Sequence, residues 1–288
     1  MILVAAFPEV REIGKHVAKA LHATFTEIAV HDFPDSELHV QLNKNPGKKT
    51  VVILNSMAGD PNTKVVETIL AAGVARDYKA QKVILVATYL PYMRQDTHFK
   101  KYDSFSSKQI LRLLNVFDHI IALDPHLHRI KKMHEISWNA EVVSVNSLVA
   151  NYIQKRFKGD FTIIGPDEES QQWSETIAQM LGKKVVILKK ERFSSTHVTI
   201  SEKKLGKNLI IIDDIISTGK TLAAALQMAR KQHAGKLICL GIHGVLVNGA
   251  DKLITKYAEL ITTNTIPNRY AKIDVSPVIV DALKKHLR

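Results

Sequence analysis

Short apolar runs alternate with helical patterns along nearly the whole chain, and this alternation limits the possible folds more than any other feature. The runs with strand character are 2–7, 51–55, 83–89, 120–124, 161–165, 185–189, 209–214 and 237–245. The helical patterns are 8–21, 61–78, 106–117, 146–157, 169–181 and 219–232. Strands that are apolar on both faces are typical of parallel sheets covered by helices. The sequence therefore predicts an α/β fold of mainly parallel sheets flanked by helices.

The length favours two domains. A chain of 288 residues, of which 45% are hydrophobic, exceeds the usual size of a single core. The stretches ARDYKAQKVILVA, from Ala75, and ARKQHAGKLICLG, from Ala229, also align as the end of a helix, a turn and a buried strand. We therefore predict two similar domains, 1–145 and 146–288.

Charge and cysteine content bear on partners and compartment. Lys and Arg total 40 against 28 Asp and Glu, so the formal net charge is +12, which favours anionic partners. Because these charges form no arginine-rich tract or basic amphipathic helix, we expect neither nucleic acid nor membrane as a partner. The first residues indicate a strand rather than a signal peptide. The single Cys239 cannot form an internal disulfide, so we expect a cytoplasmic protein.

The strongest local signal is the stretch LIIIDDIISTGKTL at 209–222. Asp213 and Asp214 lie at the carboxyl edge of an apolar strand, where α/β proteins bind ligands. Two charges about 4 Å apart repel by roughly 4 kcal/mol at an effective dielectric of 20, a cost that vicinal hydroxyls or a hydrated metal would relieve. The small residues that follow expose N–H groups at the positive end of a helix dipole, which suits a phosphate. These residues are Ser217, Thr218, Gly219, Lys220 and Thr221.

Two other interpretations of this stretch compete with a ligand site. In the first, Ser217 or Thr218 is only the N-cap of the helix, and the acids lie on the surface. In the second, the GKT triplet belongs to a P-loop. A P-loop needs glycine five positions before Gly219, where Asp214 stands, so we reject it and keep the N-cap as the alternative.

The same stretch resembles the PRPP-binding motif of type I phosphoribosyl enzymes. In that motif two acids hold the ribose hydroxyls and the following loop holds the 5-phosphate. The resemblance thus implies that Asp213 and Asp214 bind the hydroxyls of ribose 5-phosphate and that 217–221 bind its phosphate. Phosphoribosyltransferases and PRPP synthetases (ribose-phosphate pyrophosphokinases) share this motif, and other segments favour the second class.

Two segments in the first half resemble the ATP-binding segments of PRPP synthetases. FPDSE at 33–37 resembles a loop in which an aromatic residue and two acids reach the adenine across a subunit contact. YLPYMRQD at 89–96 resembles the PYxxYxRQD segment. An aromatic ring can stack on a base, and the arginine fork suits phosphate, although a plain turn and a surface arginine are the structural alternatives. The residues that the resemblance assigns to ATP are Phe33, Asp35, Glu37, Arg94, Gln95 and Asp96.

A histidine segment suggests a metal. LDPHLHRI at 123–130 resembles the family segment whose histidine binds magnesium, which implies His126, with Asp124 as a supporting acid. Magnesium prefers oxygen ligands, so histidine is an unusual choice. A zinc site on His126 and His128 is the weaker alternative, because no cysteine or obvious third ligand is near in sequence.

Two segments of the second half carry further implied roles. IIGPDEES at 163–170 resembles the SPDxGG loop, which implies Asp167 as a second metal or ribose-side ligand. VVILKKERFSSTHVTI at 185–200 resembles the catalytic flexible loop, and its Lys-x-Arg pattern falls on Lys190 and Arg192. Both would meet phosphate oxygens in the transition state, and a mobile loop would exclude water.

The chain departs from the family pattern at four positions. Glu169 and Ser170 stand where the SPDxGG loop has glycines, so we expect a different backbone there. Ser217 replaces a usual aspartate of bacterial members, and Lys220 replaces a glycine. The chain is also shorter than typical bacterial members and nearer the archaeal type.

Taken together, the resemblance implies two tandem type I phosphoribosyltransferase-like domains. It implies the reaction of ATP with ribose 5-phosphate to give PRPP and AMP, with Mg²⁺ as cofactor, in a homo-oligomer of at least two chains. The alternatives are a phosphoribosyltransferase or PRPP-responsive regulator, a non-catalytic homologue, and a nucleic-acid binder suggested by charge alone.

Overall fold

The structure is a computed structural model that describes residues 1–127, 130, 133–188, 190–192, 198–200 and 205–287, with the backbone alone at 134, 190–192 and 198–200. The chain divides into two units. The first comprises Met1–Ser144, Thr265–Pro267 and Asp274–Arg288, and the second comprises Val145–Asn264 and Asn268–Ile273.

Helices separate most of the strands, as the alternating pattern predicts. In the described part of the chain they are α1 (Arg11–Ala20), α2 (Pro61–Asp77), α3 (Ser106–Leu113), α4 (Asn146–Arg156), α5 (Gln171–Leu181), α6 (Lys220–Lys231), α7 (Ala250–Thr255) and α8 (Ser276–His286). The start of α2 shows why such segments form: Pro61 is the first helical residue, and the Asp60 carboxylate accepts a hydrogen bond from the Thr63 amide at 3.3 Å. None of the described helices is long and apolar enough to cross a bilayer.

A seven-stranded sheet forms the centre of the first unit. Its strands are β1 (Ile2–Ala6), β2 (Thr24–Asp32), β3 (Leu38–Leu42), β4 (Thr50–Ser56), β5 (Lys82–Tyr89), β6 (His119–Leu123) and β7 (Ala140–Val143). They lie in the order β3-β2-β1-β4-β5-β6-β7, and every pair is parallel except β2 with β3. The central strands are buried on both faces, which explains their unbroken apolar sequences.

The second unit contains a six-stranded sheet in which every pair is parallel. Its strands are β8 (Thr162–Gly165), β9 (Val185–Ile187), β12 (Leu209–Ile216), β13 (Leu237–Gly244), β14 (Glu259–Thr263) and β15 (Ala271–Ile273), in the order β15-β14-β13-β12-β8-β9. Two short strands, β10 (Lys190–Arg192) and β11 (Val198–Ile200), pair separately and antiparallel. Because the main strands run in one direction, the loops after them emerge at one edge of this sheet.

The weak sequence repeat corresponds to equivalent elements of the two sheets. The stretch from Ala75 is the end of α2 followed by β5, and the stretch from Ala229 is the end of α6 followed by β13. In each sheet the strand before the helix and the strand after it are neighbours. The two stretches are therefore the same supersecondary unit used twice.

The units differ from a simple division into 1–145 and 146–288 in two respects, because Thr265–Pro267 and Asp274–Arg288 both belong to the first unit. The first break falls between 144 and 145, but Asp274–Arg288 returns to the first unit, where α8 packs against α1 and β7. Its apolar residues Ile279 and Leu283 are fully buried. Burial of this apolar stripe is the physical reason that α8 belongs to the first unit although it lies far from it in sequence.

Candidate active site

The acid pair lies inside a strand of the second unit and not in a loop after it. Strand β12 stays paired with β13 as far as Ile216 opposite Gly244, beyond both acids. Asp214 is buried, with 2% of its surface exposed, whereas Asp213 is half-buried. The two carboxylates lie near the carboxyl end of β12, where the sequence predicts them, but they have different surroundings.

Asp213 also lies near the only cysteine. Cys239 is completely buried in β13, and burial raises the pKa of its thiol far above the usual range, with the Asp213 charge adding to the effect. A neutral, enclosed thiol is a poor nucleophile and a poor metal ligand. Cys239 is therefore a core residue of the second unit.

The turn after β12 presents an uncapped helix start. Ser217 and Thr218 form a bend, and Gly219 precedes α6 with a left-handed φ of 69°. Gly219 is the N-cap residue, and it has no side chain that could cap the first turn. The alternative of Ser217 or Thr218 as N-cap is therefore wrong, because the turn places both of them too early. Backbone amides of the first helical turn remain available for an anion, as the phosphate interpretation requires.

Side-chain exposure differs along this turn. Ser217 and Thr221 are half-buried, whereas Thr218 and Lys220 are exposed. Lys220 is the first residue of α6 and is exposed, so its flexible side chain can bring a positive charge to the start of that helix. The departure from glycine at this position thus adds positive charge where a phosphate would bind.

The loop that contains Asp167 follows β8, the strand next to β12. The Asp167 carboxylate accepts a hydrogen bond from the Ser170 amide at 3.1 Å, and the Ser170 hydroxyl donates to the Asp167 carbonyl at 2.8 Å. Ser170 has a φ of −84°, so the loop does not need a glycine conformation at this residue. Asp167 is half-buried at the same sheet edge as the turn after β12.

Lys190 and Arg192 occupy β10, which comes shortly after β9 at this edge of the second sheet. The backbone of β10 pairs antiparallel with β11, with Lys190 opposite Ile200 and Arg192 opposite Val198. The two side chains lie outside the described part of the structure. The segment is thus a hairpin in its backbone, and the catalytic roles of both residues remain predictions.

In the first unit, Arg94, Gln95 and Asp96 lie in the turn that follows β5. Arg94 and Gln95 are exposed, whereas Asp96 is buried with 3% exposure. The Ser106 hydroxyl donates to the Gln95 side chain at 2.6 Å, and the Ser107 amide donates to the Gln95 carbonyl at 3.2 Å. The start of α3 therefore fixes both the side chain and the backbone of Gln95. The side chain of the preceding residue, Arg94, is exposed to solvent.

Asp124 and His126 follow the neighbouring strand, β6, at the same edge of the first sheet. Both are buried, with 4% and 6% exposure, and Asp124 has a positive φ of 34°. Its amide donates to the Val143 carbonyl at 3.1 Å, which fixes this unusual backbone. Among the described residues, no third imidazole or carboxylate lies close enough to make these two a three-ligand group.

This donor set fits Mg²⁺ better than Zn²⁺. Magnesium keeps several waters and uses one or two protein carboxylates together with substrate phosphates, so a single buried Asp124 is sufficient. Zinc usually requires three protein ligands. His128, the partner in the zinc alternative, lies outside the described residues.

The FPDSE segment is the loop of the β2–β3 hairpin. The Phe33 amide donates to the Glu37 carbonyl at 2.8 Å, and the Ser36 amide donates to the Phe33 carbonyl at 2.8 Å. The side chains of Phe33, Asp35 and Glu37 are exposed, Phe33 by 52%. The backbone is therefore a tight turn, and its aromatic and acidic side chains point away from the core of their own unit.

Sequence reasoning missed polar residues at these same edges. His243 and Thr262 are buried near the ends of β13 and β14, next to β12 in the second sheet. Asn55 and Ser56 end β4, which is the counterpart of β12 in the first sheet. The lone histidine within the apolar run LICLGIHGV was the available signal for His243.

Comparisons with known proteins identify the family. The model of the N-terminal domain of ribose phosphate pyrophosphokinase matches residues 2–117, and the phosphoribosyl transferase domain model matches residues 137–276. A ribose-phosphate pyrophosphokinase from Methanopyrus kandleri is 30% identical over 290 residues, covering 98% of this chain and 99% of that protein. The chain belongs to the ribose-phosphate pyrophosphokinase family. The family predicted from sequence is thereby confirmed.

Other relatives and a solved structure agree. A ribose-phosphate pyrophosphokinase from Pyrococcus furiosus is 30% identical over 266 residues, covering 91% of this chain and 94% of that protein. A crystal structure of phosphoribosylpyrophosphate synthetase from Mycobacterium smegmatis superimposes with a TM-score of 0.87 at 21% identity, covering 99% of this chain and 98% of that one. The predicted fold of this family member, two phosphoribosyltransferase-like α/β domains, is confirmed.

Replacing Gly219 with alanine should both destabilise this pyrophosphokinase-family chain and weaken binding of ribose 5-phosphate. The added Cβ would have a left-handed φ and would lie 3.1 Å from Ala250 Cβ and 3.2 Å from Ile254 Cδ1. We expect a loss of about 1–3 kcal/mol in the free energy of unfolding, measured by urea titration. Gly182→Ala is the matched control, because its φ is 60° with no atom within 4 Å of the added Cβ. If both variants bind ribose 5-phosphate normally, the turn after β12 is not the phosphate site.

Proposed function

We propose that this chain transfers the diphosphate group of ATP to the anomeric hydroxyl of ribose 5-phosphate, giving PRPP and AMP for nucleotide biosynthesis. The anomeric oxygen forms a bond to the β-phosphorus, the bond from that phosphorus to the oxygen of the α-phosphate breaks, and the hydroxyl proton passes to solvent. One observation carries the proposal: in a chain of this family, buried Asp214 lies near the end of a strand, and a short turn then leads to a helix whose N-cap residue is glycine. Its named relatives are ribose-phosphate pyrophosphokinases, which agrees with this function.

The second unit carries the residues that we propose for binding ribose 5-phosphate. The 5-phosphate binds at the turn 217–219 and the first residues of α6, where free amides and the Lys220 ammonium supply positive charge. Asp213 and Asp214 accept hydrogen bonds from the ribose hydroxyls. Asp214 is more buried than Asp213, so we expect its hydrogen bond to the ribose to be the stronger of the two. A hydrogen bond to a carboxylate is stronger where water is excluded.

The first unit carries the residues that we propose for binding ATP. Arg94 is exposed, and the next residue, Gln95, is fixed by a hydrogen bond from Ser106. The planar guanidinium group of Arg94 suits the phosphates of ATP because it can donate two parallel, charge-assisted hydrogen bonds. Buried Asp96 beside them has a supporting role. The adenine stacks on Phe33, and Asp35 and Glu37 accept from its exocyclic amine. Since these three side chains project from the hairpin, they are suited to serve a neighbouring subunit, so we propose a homo-oligomer of at least two chains.

Asp124 and His126 would hold Mg²⁺, the cofactor that we propose, and Asp167 in the second unit would be a second metal ligand or a ribose-side ligand. When bound, the ion supplies positive charge to the phosphate oxygens. The chain itself holds Asp124 in a fixed, buried position, because its amide is bonded to β7 through Val143. A backbone fixed in this way does not need to rearrange when substrates bind.

Lys190 and Arg192 supply the remaining charge in the transition state. Phosphoryl transfer requires positioning and charge stabilisation more than covalent help from the protein. None of the proposed site residues is assigned as a general base, because His126 is reserved for the metal. The enzyme is proposed to act in the cytoplasm, where a single buried thiol remains reduced.

An assay with the purified full chain tests the function directly. With MgCl₂ present, AMP should form from ATP only when ribose 5-phosphate is added, and PRPP should appear in equal amount by ³¹P NMR. Reactions without the sugar and without Mg²⁺ are the controls. PRPP binding with no AMP release would instead support a phosphoribosyltransferase or regulator. Salt-dependent nucleic-acid binding that ribose 5-phosphate does not displace would support the charge-based alternative.

A further inference from the structure

Three potential metal ligands meet in the first unit, at the end of the sheet opposite the proposed active site. His119 is the first residue of β6, Glu141 is the second residue of β7, and His286 is the last residue of α8. In the register of the sheet, Ile120 pairs with Ala140, so His119 and Glu141 lie near the amino ends of adjacent strands. The loops assigned to ATP and Mg²⁺ follow the carboxyl ends of β5 and β6.

The donor atoms of this cluster are close together. Glu141 Oε1 lies 2.8 Å from His286 Nε2 and 3.5 Å from His119 Nε2. The two imidazole rings have centroids 3.7 Å apart, and the donor atoms of all three residues lie within 4.8 Å of one another. Donor atoms around a tetrahedral Zn²⁺ with bonds of about 2.0–2.1 Å are separated by roughly 3.3 Å, so small side-chain shifts would admit an ion.

Hydrogen bonding within the protein accounts for only part of this cluster. The contact of Glu141 with His286 has hydrogen-bond length, whereas the buried Nε2 atom of His119 has only the 3.5 Å contact with Glu141, which is too long for a good hydrogen bond, and no other partner among the described residues. A buried polar atom without a partner usually costs free energy, so it indicates an absent ligand or a function. The three side chains are 16%, 29% and 23% exposed, which leaves a path for a small ion from solvent.

We propose that His119, Glu141 and His286 bind a divalent transition-metal ion, with Zn²⁺ the best match. Two imidazole nitrogens and one carboxylate oxygen favour zinc or cobalt over magnesium, which prefers oxygen ligands throughout. The fourth position would hold water. The bound ion joins α8 to β6 and β7, so it stabilises the first unit independently of the proposed reaction.

A neighbouring positive charge, that of Lys82, repels a bound cation and should lower the affinity of the cluster for metal ions. The Lys82 ammonium donates to the His286 carbonyl at 3.0 Å, which places a cation beside the cluster. The Glu141 carboxylate provides one negative charge, so ion and ligands together keep a net positive charge. We therefore expect weaker binding than at a structural site with several thiolates.

Titration of the chelator-treated full chain with Co²⁺, in excess Mg²⁺, tests the proposal. Tetrahedral Co²⁺ absorbs visible light, so we expect one such ion per chain and its displacement by Zn²⁺. Glu141→Gln, His119→Gln and His286→Gln should each weaken Co²⁺ binding at least about 100-fold, since loss of an outer partner alone costs about 10–100-fold. Zn²⁺ should also raise the melting temperature of the wild type but not that of Glu141→Gln.

Two controls separate this site from others. His16→Gln removes a histidine that pairs with one carboxylate, Asp274, at 3.1 Å, and Co²⁺ binding should be unchanged. His126→Ala alters the proposed catalytic metal site, and the Co²⁺ absorption should persist. The proposal is overturned if the wild type shows no tetrahedral Co²⁺ spectrum. It is also overturned if His126→Ala alone abolishes that spectrum, or if the three cluster variants fold and bind Co²⁺ like the wild type.

Discussion

Replacing Lys190 with alanine should lower kcat by roughly 10³-fold, while the affinity for ATP stays near normal. A cation that contacts the diphosphate only in the transition state lowers the activation free energy more than it strengthens ATP binding. The position supports this role, since β10 follows β9 at the sheet edge that also carries the acid pair and the uncapped helix start. Steady-state kinetics with varied ATP, together with a separate ATP binding titration, would measure both quantities.

Lys184→Ala is the matched control for this experiment. Lys184 is an exposed lysine directly before β9, so its loss removes the same charge without affecting the hairpin. Its kcat should equal that of the wild type. An equal loss of ATP affinity and of kcat in Lys190→Ala would assign Lys190 to ground-state binding instead of the transition state.

Replacing Asp214 with asparagine should weaken ribose 5-phosphate far more than ATP. The substitution keeps the shape but removes the charge that strengthens a hydrogen bond from a hydroxyl. Loss of a charged hydrogen bond costs about 1.5–3 kcal/mol, or roughly 10- to 150-fold in Kd. Calorimetric titration of each substrate separately would measure the difference.

Asp160→Asn provides the comparison for Asp214. Asp160 belongs to the same unit but is exposed, with an ion pair to Lys183 at 3.5 Å, so its substitution should change neither affinity. Sugar affinity that is normal in Asp214→Asn would exclude the hydroxyl-binding role, provided that urea unfolding shows the variant to be folded.

The sequence predicted the central strands well because they are buried on both faces. The apolar runs at 51–55 and 83–89 became β4 and β5 with shifts of one residue at most of their ends. Strand β2 and helix α8 were not predicted. The sequence TFTEIAVHD of β2 mixes polar and apolar residues because this strand lies near the sheet edge, where burial is partial. The apolar stripe of α8 is short, and its partners are far away in sequence.

The sequence could predict those candidate site residues that lie close to one another along the chain. Asp213, Asp214 and Gly219 are close in sequence, so their common strand, turn and helix could be inferred from spacing. The unequal burial of Asp213 and Asp214 could not be inferred from spacing, because it depends on how β12 pairs with β13. The cluster of His119, Glu141 and His286 was invisible in the sequence because three separate elements bring it together.

The return of Asp274–Arg288 to the first unit has a consequence for synthesis on the ribosome. The first unit lacks the helix that covers α1 and β7 until roughly 130 further residues have been translated, a delay of about 6–26 s at about 5–20 residues per second. During this interval the apolar surface that Ile279 and Leu283 later bury is open to chaperones. A nascent chain that stops after the second sheet would therefore leave an unfinished first unit, a natural substrate for quality-control proteases.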